Sequence, residues 1–152
     1  MPTGTTELTV TELAIWRAFL RVHAAIAKQL DAELEAAHSL PLTSYDVLVT
    51  LESAPSRRLR MAELADRALL SRSGMTRLVD RLARDGLIRR ENCASDARGC
   101  FAVLTAAGEE MLARARPTHL DGVRARFVAH LEPADLERLG ALFERMHPGS
   151  TA

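Results

Sequence analysis

The stretch from Met61 to Thr105 leaves this chain few folds to choose from. Two short helical patterns stand close together in it. Met61, Leu64, Ala65 and Ala68 share one face of the first. Leu69-Leu70-Ser71 then breaks the phase. Met75, Leu78, Val79 and Leu82 recur at i, i+3, i+4 and i+7 in the second. Ser71 or Ser73 is placed to cap that second helix, and Gly86 to end it. Two strand-like runs follow, Leu87–Glu91 and Cys100–Leu104, joined by the turn-rich Ala94–Gly99. Two short helices across a tight break, with a hairpin directly behind them, predict a helix-turn-helix carrying a β-wing.

The flanks read as helix. Glu7 to about His38 contains no Pro or Gly, and Leu8, Leu13, Trp16, Leu20, Ala24, Ala27, Leu30 and Leu34 repeat at helical spacing. Thr6 or Thr9 can cap its start. A helix of that length suits a scaffold or an oligomer interface better than a simple core. After Pro41, Thr43 or Ser44 can cap a second helix bearing Tyr45, Val47, Leu48 and Leu51, which stops by Pro55. Arg57-Arg58-Leu59-Arg60 reads as a short strand able to pair with the hairpin. Thr105 caps the next helix, Pro117 is expected to kink or restart it, and it resumes through Leu120, Val123, Phe127 and Leu131. Pro133 opens a last helix lined by Leu136, Leu139, Leu142, Phe143 and Met146. The fold class expected is mainly α with a small β-wing. The 152 residues make a single winged helix-turn-helix domain, with a lobe at 40–105 and helical regions at 6–38 and 106–147.

Charge sharpens this. The chain is neutral overall, yet residues 57–98 carry 11 basic and 6 acidic side chains, while residues 1–40 carry 3 and 5. Every basic residue in the central block is Arg, which suits bidentate contacts to phosphate and guanine. A solvated face on an Arg-rich protein is the competing account. No apolar run is long enough to cross a membrane, the first residues lack the pattern of a signal peptide, and two cysteines make no disulfide scaffold. A cytoplasmic location without membrane contact is the expectation. The five histidines form no metal motif, and no nucleotide fingerprint or nucleophile elbow appears, so neither a metal, a cofactor nor an enzyme is expected.

Residues 71–108 carry a resemblance. Thr76-Arg77-Leu78-Val79-Asp80-Arg81-Leu82, Gly86-Leu87-Ile88-Arg89, Asp96-Ala97-Arg98 and Leu104-Thr105-Ala106-Ala107-Gly108 together resemble the MarR family of bacterial transcriptional regulators. The resemblance implies a homodimer joined through its first and last helices, with a DNA-reading helix from Ser71 to Arg84. A reading helix enters the major groove by its N-terminal part. That assigns Ser71, Arg72, Ser73, Thr76 and Arg77 to double-stranded DNA, with Arg98 at the wing tip along the minor groove and Asp96 orienting it. Gly74 would permit close approach. A twofold dimer implies a pseudo-palindromic site with half-sites one helical turn apart, bound with strong salt dependence. Arg81 lies away from the helix start and is expected in an intramolecular ion pair with Asp80 or Asp85. Arg89 and Arg90 alternate, so at most one faces DNA.

The resemblance further implies a small phenolic or aromatic effector that releases a repressor. Trp16, Arg17, Tyr45 and Asp46 are its candidate contacts; packing for Trp16 and Tyr45, and a solvated Arg17, are the competing accounts. Two other functions stand beside this one. The first is a DNA-binding architectural protein without a ligand. The second is a regulator responding to oxidation of Cys93 and Cys100, which flank the wing loop.

Overall fold

The computed structural model describes residues 7–68, 71–92 and 100–151, with the side chain of Arg72 also outside the description. Its elements are α1 (Val10–His38), α2 (Leu42–Ser53), β1 (Arg58–Arg60), α3 (Met61–Arg67), α4 (Arg72–Arg84), β2 (Ile88–Asn92), β3 (Cys100–Leu104), α5 (Ala106–Arg126) and α6 (Pro133–Met146). This is a mainly helical fold with a small antiparallel sheet, as the sequence predicts. The sheet order is β1-β3-β2. The wing loop at 93–99, including Cys93, Asp96 and Arg98, lies outside the described residues.

The chain divides into two compact units, one formed by 29–119 and one by 7–28 with 120–151. The first holds the core. Leu34, Val47, Leu48, Leu51, Leu64, Met75, Val79, Leu82, Ile88, Ala102 and Leu112 are fully buried in it. The second is built from amphipathic helix whose apolar residues stay uncovered. Leu8, Val10, Ile15, Trp16, Phe19, Leu20 and Val22 are exposed on its N-terminal part, and Leu136, Leu142, Phe143 and Met146 on α6.

Helix ends explain most boundaries. Thr9 Oγ1 accepts from the Glu12 N–H at 3.2 Å, and the Thr9 N–H donates to the Glu12 carboxylate at 2.7 Å, so Thr9 and Glu12 form a reciprocal cap on α1. Ser39, in the left-handed region at φ 51°, ends that helix. The start of α2 departs from expectation. Neither Thr43 nor Ser44 caps it. Asp31 on α1 accepts from the Leu42 N–H at 2.8 Å, and Ser44 is turned inward. The donor left bare at the helix start is met by a carboxylate from another helix, which local pattern cannot reveal.

Ser71 is the cap of α4, its Oγ accepting from Gly74 N–H at 3.1 Å. At the other end the Gly86 N–H reaches the Ala83 carbonyl at 3.1 Å and the Leu87 N–H reaches that of Leu82 at 3.0 Å, with Gly86 at φ 74°. That pair of bonds is a Schellman closure, which needs a left-handed residue where Gly86 stands. The helix α5 begins against this closure. Thr105 Oγ1 donates to the Gly86 carbonyl at 2.6 Å and accepts from Gly108 N–H at 3.1 Å. Pro117 neither ends nor restarts α5, which runs through it to Arg126. Phe127 and Leu131 therefore lie beyond the helix, around a short turn at Val128–His130.

Candidate nucleic-acid interface

The helix α4 separates its two sides cleanly. Met75, Leu78, Val79 and Leu82 are buried in the core of the 29–119 unit, so the opposite face turns outward. Ser73, Thr76 and Arg77 are exposed on its first two turns. Ser71 is exposed as well, but its hydroxyl is occupied by the Gly74 N–H and lies 3.4 Å from Ser73 Oγ. Arg72 sits at the first helical position. No ion pair involves Arg77 among the described residues, so its guanidinium stands available beside Ser73 and Thr76 at the positive end of the helix dipole. Gly74 also stands beside the cap of its own helix. A Cβ there would stand 3.0 Å from Ser71 Oγ and press on the cap.

Most other arginines of the basic block are engaged within the fold. Arg57 pairs with Glu109, Arg89 with Glu91, and Arg58 reaches Glu91 at 3.4 Å while covering the Phe101 ring at 4.1 Å. Arg81 does not form the ion pair expected with Asp80 or Asp85. Its Nη2 donates to Ser44 Oγ at 3.2 Å, tying α4 to α2. Asp80, the adjacent residue, points another way, and Asp85, one turn on, stands at the helix cap rather than within it. Asp80 instead faces β2, where Arg90 Nη2 lies 2.8 Å from its Oδ1. Ser44, 1% exposed, is the one buried polar side chain of the core among the described residues, and Arg81 satisfies it.

Arg90 was legible in principle. Ile88 is buried, and residues two apart on a strand share a face, so Arg90 had to stand on the core side and Arg89 on the outer side. Register places Arg90 opposite Ala102, whose partner on the other side is Leu59; Ala102 and Leu59 are both buried.

The proposed effector residues fall in different units. Trp16 and Arg17 belong to the unit containing 7–28. Trp16 is 52% exposed and stacks on Phe19 with ring centroids 5.9 Å apart. Tyr45 and Asp46 belong to the unit of 29–119. Tyr45 is a core residue, packed on His119 with centroids 4.4 Å apart. Burial pushes the Tyr45 hydroxyl above its ordinary range, and Arg116, which also pairs with Glu52, pulls it back. Burial likewise holds the His119 imidazole below the ordinary histidine range, with Asp46 opposing. His119 Nδ1 is buried without a hydrogen-bond partner. Asp46 is exposed at the helix surface, yet the protein crowding one side of it raises its carboxyl, and His119 lowers it again. Cys100 is a half-buried free thiol.

Comparison with known proteins decides the family. The MarR family model matches residues 38–99. The HTH-type transcriptional repressor YetL of Bacillus subtilis is 32% identical over 127 residues, 80% of this chain and 76% of that protein. The chain belongs to the MarR family. Two MarR-family regulators of Streptomyces coelicolor share its fold at TM-score 0.85. Sco3205, solved in complex with DNA, is 38% identical over 94% of this chain and 96% of its own, and AbsC is 37% identical over 93% and 95%. This MarR-family protein is a transcriptional regulator that binds DNA, not an enzyme. Among the described residues no helix is long and apolar enough to cross a membrane.

Proposed function

We propose that this MarR-family protein is a homodimeric repressor that reads a pseudo-palindromic duplex and is released by a small, aromatic effector. The observation that carries the DNA-reading part is the division of α4. Its apolar stripe is wholly buried while Ser73, Thr76 and Arg77 stand outward at its N-terminal end. Short hydroxyl side chains let a helix seat deeply in the major groove, and an unpaired arginine there can take a guanine edge or a phosphate. Ser71 and Arg72 complete the reading end, and Asp96 and Arg98 serve the wing.

Dimerisation is supported by the uncovered apolar side chains of α1 and α6, a set larger than a monomer ordinarily leaves in water. Twofold symmetry then sets a palindromic site. Repression is supported by the similarity to YetL, a repressor. Effector release assigns Trp16, Arg17, Tyr45 and Asp46 to the ligand.

Selection of bound duplex from a random pool, followed by mobility shift with Arg77→Ala, tests the reading. An inverted repeat should emerge, and Arg77→Ala should weaken binding to it by about 1–3 kcal/mol and relax preference at one position per half-site. No repeat, or full affinity in the variant, would remove it. Quenching of Trp16 fluorescence by aromatic acids that also release the duplex tests the effector. A panel with no response removes that part alone.

A further inference from the structure

We propose that Arg90 is a positioning residue for DNA reading, holding α4 at a fixed angle to the wing sheet. The proposal rests on α4 being the reading helix and goes beyond it, because Arg90 stands on β2 and reaches the helix through Asp80 and a backbone carbonyl rather than belonging to the reading helix itself. Three observations carry it. First, Arg90 shares a face of β2 with buried Ile88 and lies opposite buried Ala102, so its stem follows the core face of the sheet while its guanidinium reaches out to α4. Second, one nitrogen of its guanidinium reaches α4 twice, lying 2.8 Å from Asp80 Oδ1 and 3.4 Å from the Thr76 carbonyl oxygen. Residues four apart share a helix face, so the guanidinium grips one full turn. That turn ends in the residues of the outward face, Thr76 and Arg77. Third, its neighbour Arg89 points the other way and pairs with Glu91. Arg90 is therefore singled out from an otherwise similar pair.

The pair is a poor device for holding the fold together. The side chains of Arg90 and Asp80 are 35% and 53% exposed, and ion pairs that wet add little stability. What the contact does supply is direction. An apolar stripe lets a helix roll and slide by fractions of an ångström, whereas a charged bond to a side chain and a carbonyl on one turn fixes both rotation and height. The carbonyl held is that of Thr76, so the backbone beside Arg77 is pinned. The other end of β2 leads into the wing loop, so helix and wing would meet DNA as one piece.

The experiment measures binding by fluorescence anisotropy over a range of salt. The probes are a duplex enriched by the wild-type chain from a random pool and a scrambled duplex of equal length. Arg90→Ala should bind the enriched duplex about tenfold more weakly, the size of coupling inside one ion-pair network, and the scrambled duplex within about twofold. The slope of log affinity against log salt should not change, because no phosphate contact is lost. Asp80→Asn should reproduce this loss, and the double variant should be no weaker than Arg90→Ala alone. Arg90→Lys, which keeps the charge but one bond, should recover part of it. Thermal melts of each variant separate lost positioning from lost folding; if Arg90→Ala does not fold, Arg90→Lys and Asp80→Asn carry the test.

Three results overturn the proposal. Wild-type affinity in Arg90→Ala is one. Equal weakening on both duplexes with a slope shallower by about 0.9 is another, since it marks a direct phosphate contact. Additive losses from Arg90→Ala and Asp80→Asn are the third. Arg77→Ala is run beside them. If it too binds as wild type, the reading-helix assignment fails, and the failure is not that of Arg90.

Discussion

Gly108→Ala is the substitution whose cost the structure sets most closely. Gly108 stands in the first turn of α5, and an added Cβ would come within 3.0 Å of both the Leu87 carbonyl oxygen and Leu104 Cδ1. Carbon and carbonyl oxygen ordinarily approach to about 3.3 Å, so the joint must open by on the order of 1 Å. Leu104 is buried and cannot swing aside. The Leu87 carbonyl also accepts from Thr105 N–H at 3.2 Å, so moving it strains that bond. Overpacking of this kind costs about 1–3 kcal/mol. A lost hydrogen bond adds about 1 kcal/mol. Alanine returns up to about 1 kcal/mol of helix propensity. The net is a loss of about 1–3 kcal/mol, which lowers the melting temperature by roughly 2–12 °C in a chain of this size. Urea unfolding followed by circular dichroism reads it at fixed protein concentration. Gly74→Ala is the control, since its Cβ meets only a hydroxyl at 3.0 Å, and it should change stability by less than about 1 kcal/mol. A Gly108→Ala protein as stable as wild type would refute the packing argument.

Asp31→Ala should cost about 1 kcal/mol by leaving the Leu42 N–H without its acceptor, read as a lower urea midpoint; an unchanged midpoint would show that water replaces the carboxylate. Ser71→Ala should cost a similar amount and weaken DNA binding as well, because the cap shapes the reading end; circular dichroism and mobility shift on the same samples check both. For His119, the folded value lies below the unfolded one of about 6.5, so between them the unfolded chain binds more protons. Its contribution to stability is thus complete above about pH 6.5 and is lost as pH falls through the folded value. His119→Gln should flatten the decline in urea midpoint between about pH 7 and 5, and an identical decline would exclude His119 as a source.

Much of the frame could be read before any coordinates. The stripe of Met75, Leu78, Val79 and Leu82 is buried because a helix with one apolar face has one way to sit on a core. Arg58-Leu59-Arg60 forms the expected strand since a single apolar residue between charges suits a half-buried edge. What stayed hidden depends on partners distant in the chain. The cap on α2 comes from Asp31, eleven residues back on another helix. The fate of Arg81 turned on Ser44, and that of Asp80 on the register of β2 against β3. Pro117 misled for a different reason. Proline rules describe an isolated helix, whereas flanking residues such as Leu112 and Ala115, buried in the core, hold α5 to its course. The basic block likewise overstated the charge offered outward, because Glu91, Glu109 and Asp80 neutralise four of its arginines.

The concentration of the core in residues 29–119 has a consequence for how the molecule opens. Backbone amides exchange with solvent at rates set by the free energy of the opening that frees them. Those of α2, α4 and β3, with Val47, Leu48, Val79 and Ala102 fully enclosed, should exchange only through global unfolding. Those of Val10 to Lys28, on a helix whose large side chains are mostly wet, should exchange through fraying in the isolated chain. Raising protein concentration should then slow exchange in that segment and in α6, and leave the enclosed core unchanged. The two ends of one unbroken helix would thus report on different events, self-association at one end and folding at the other.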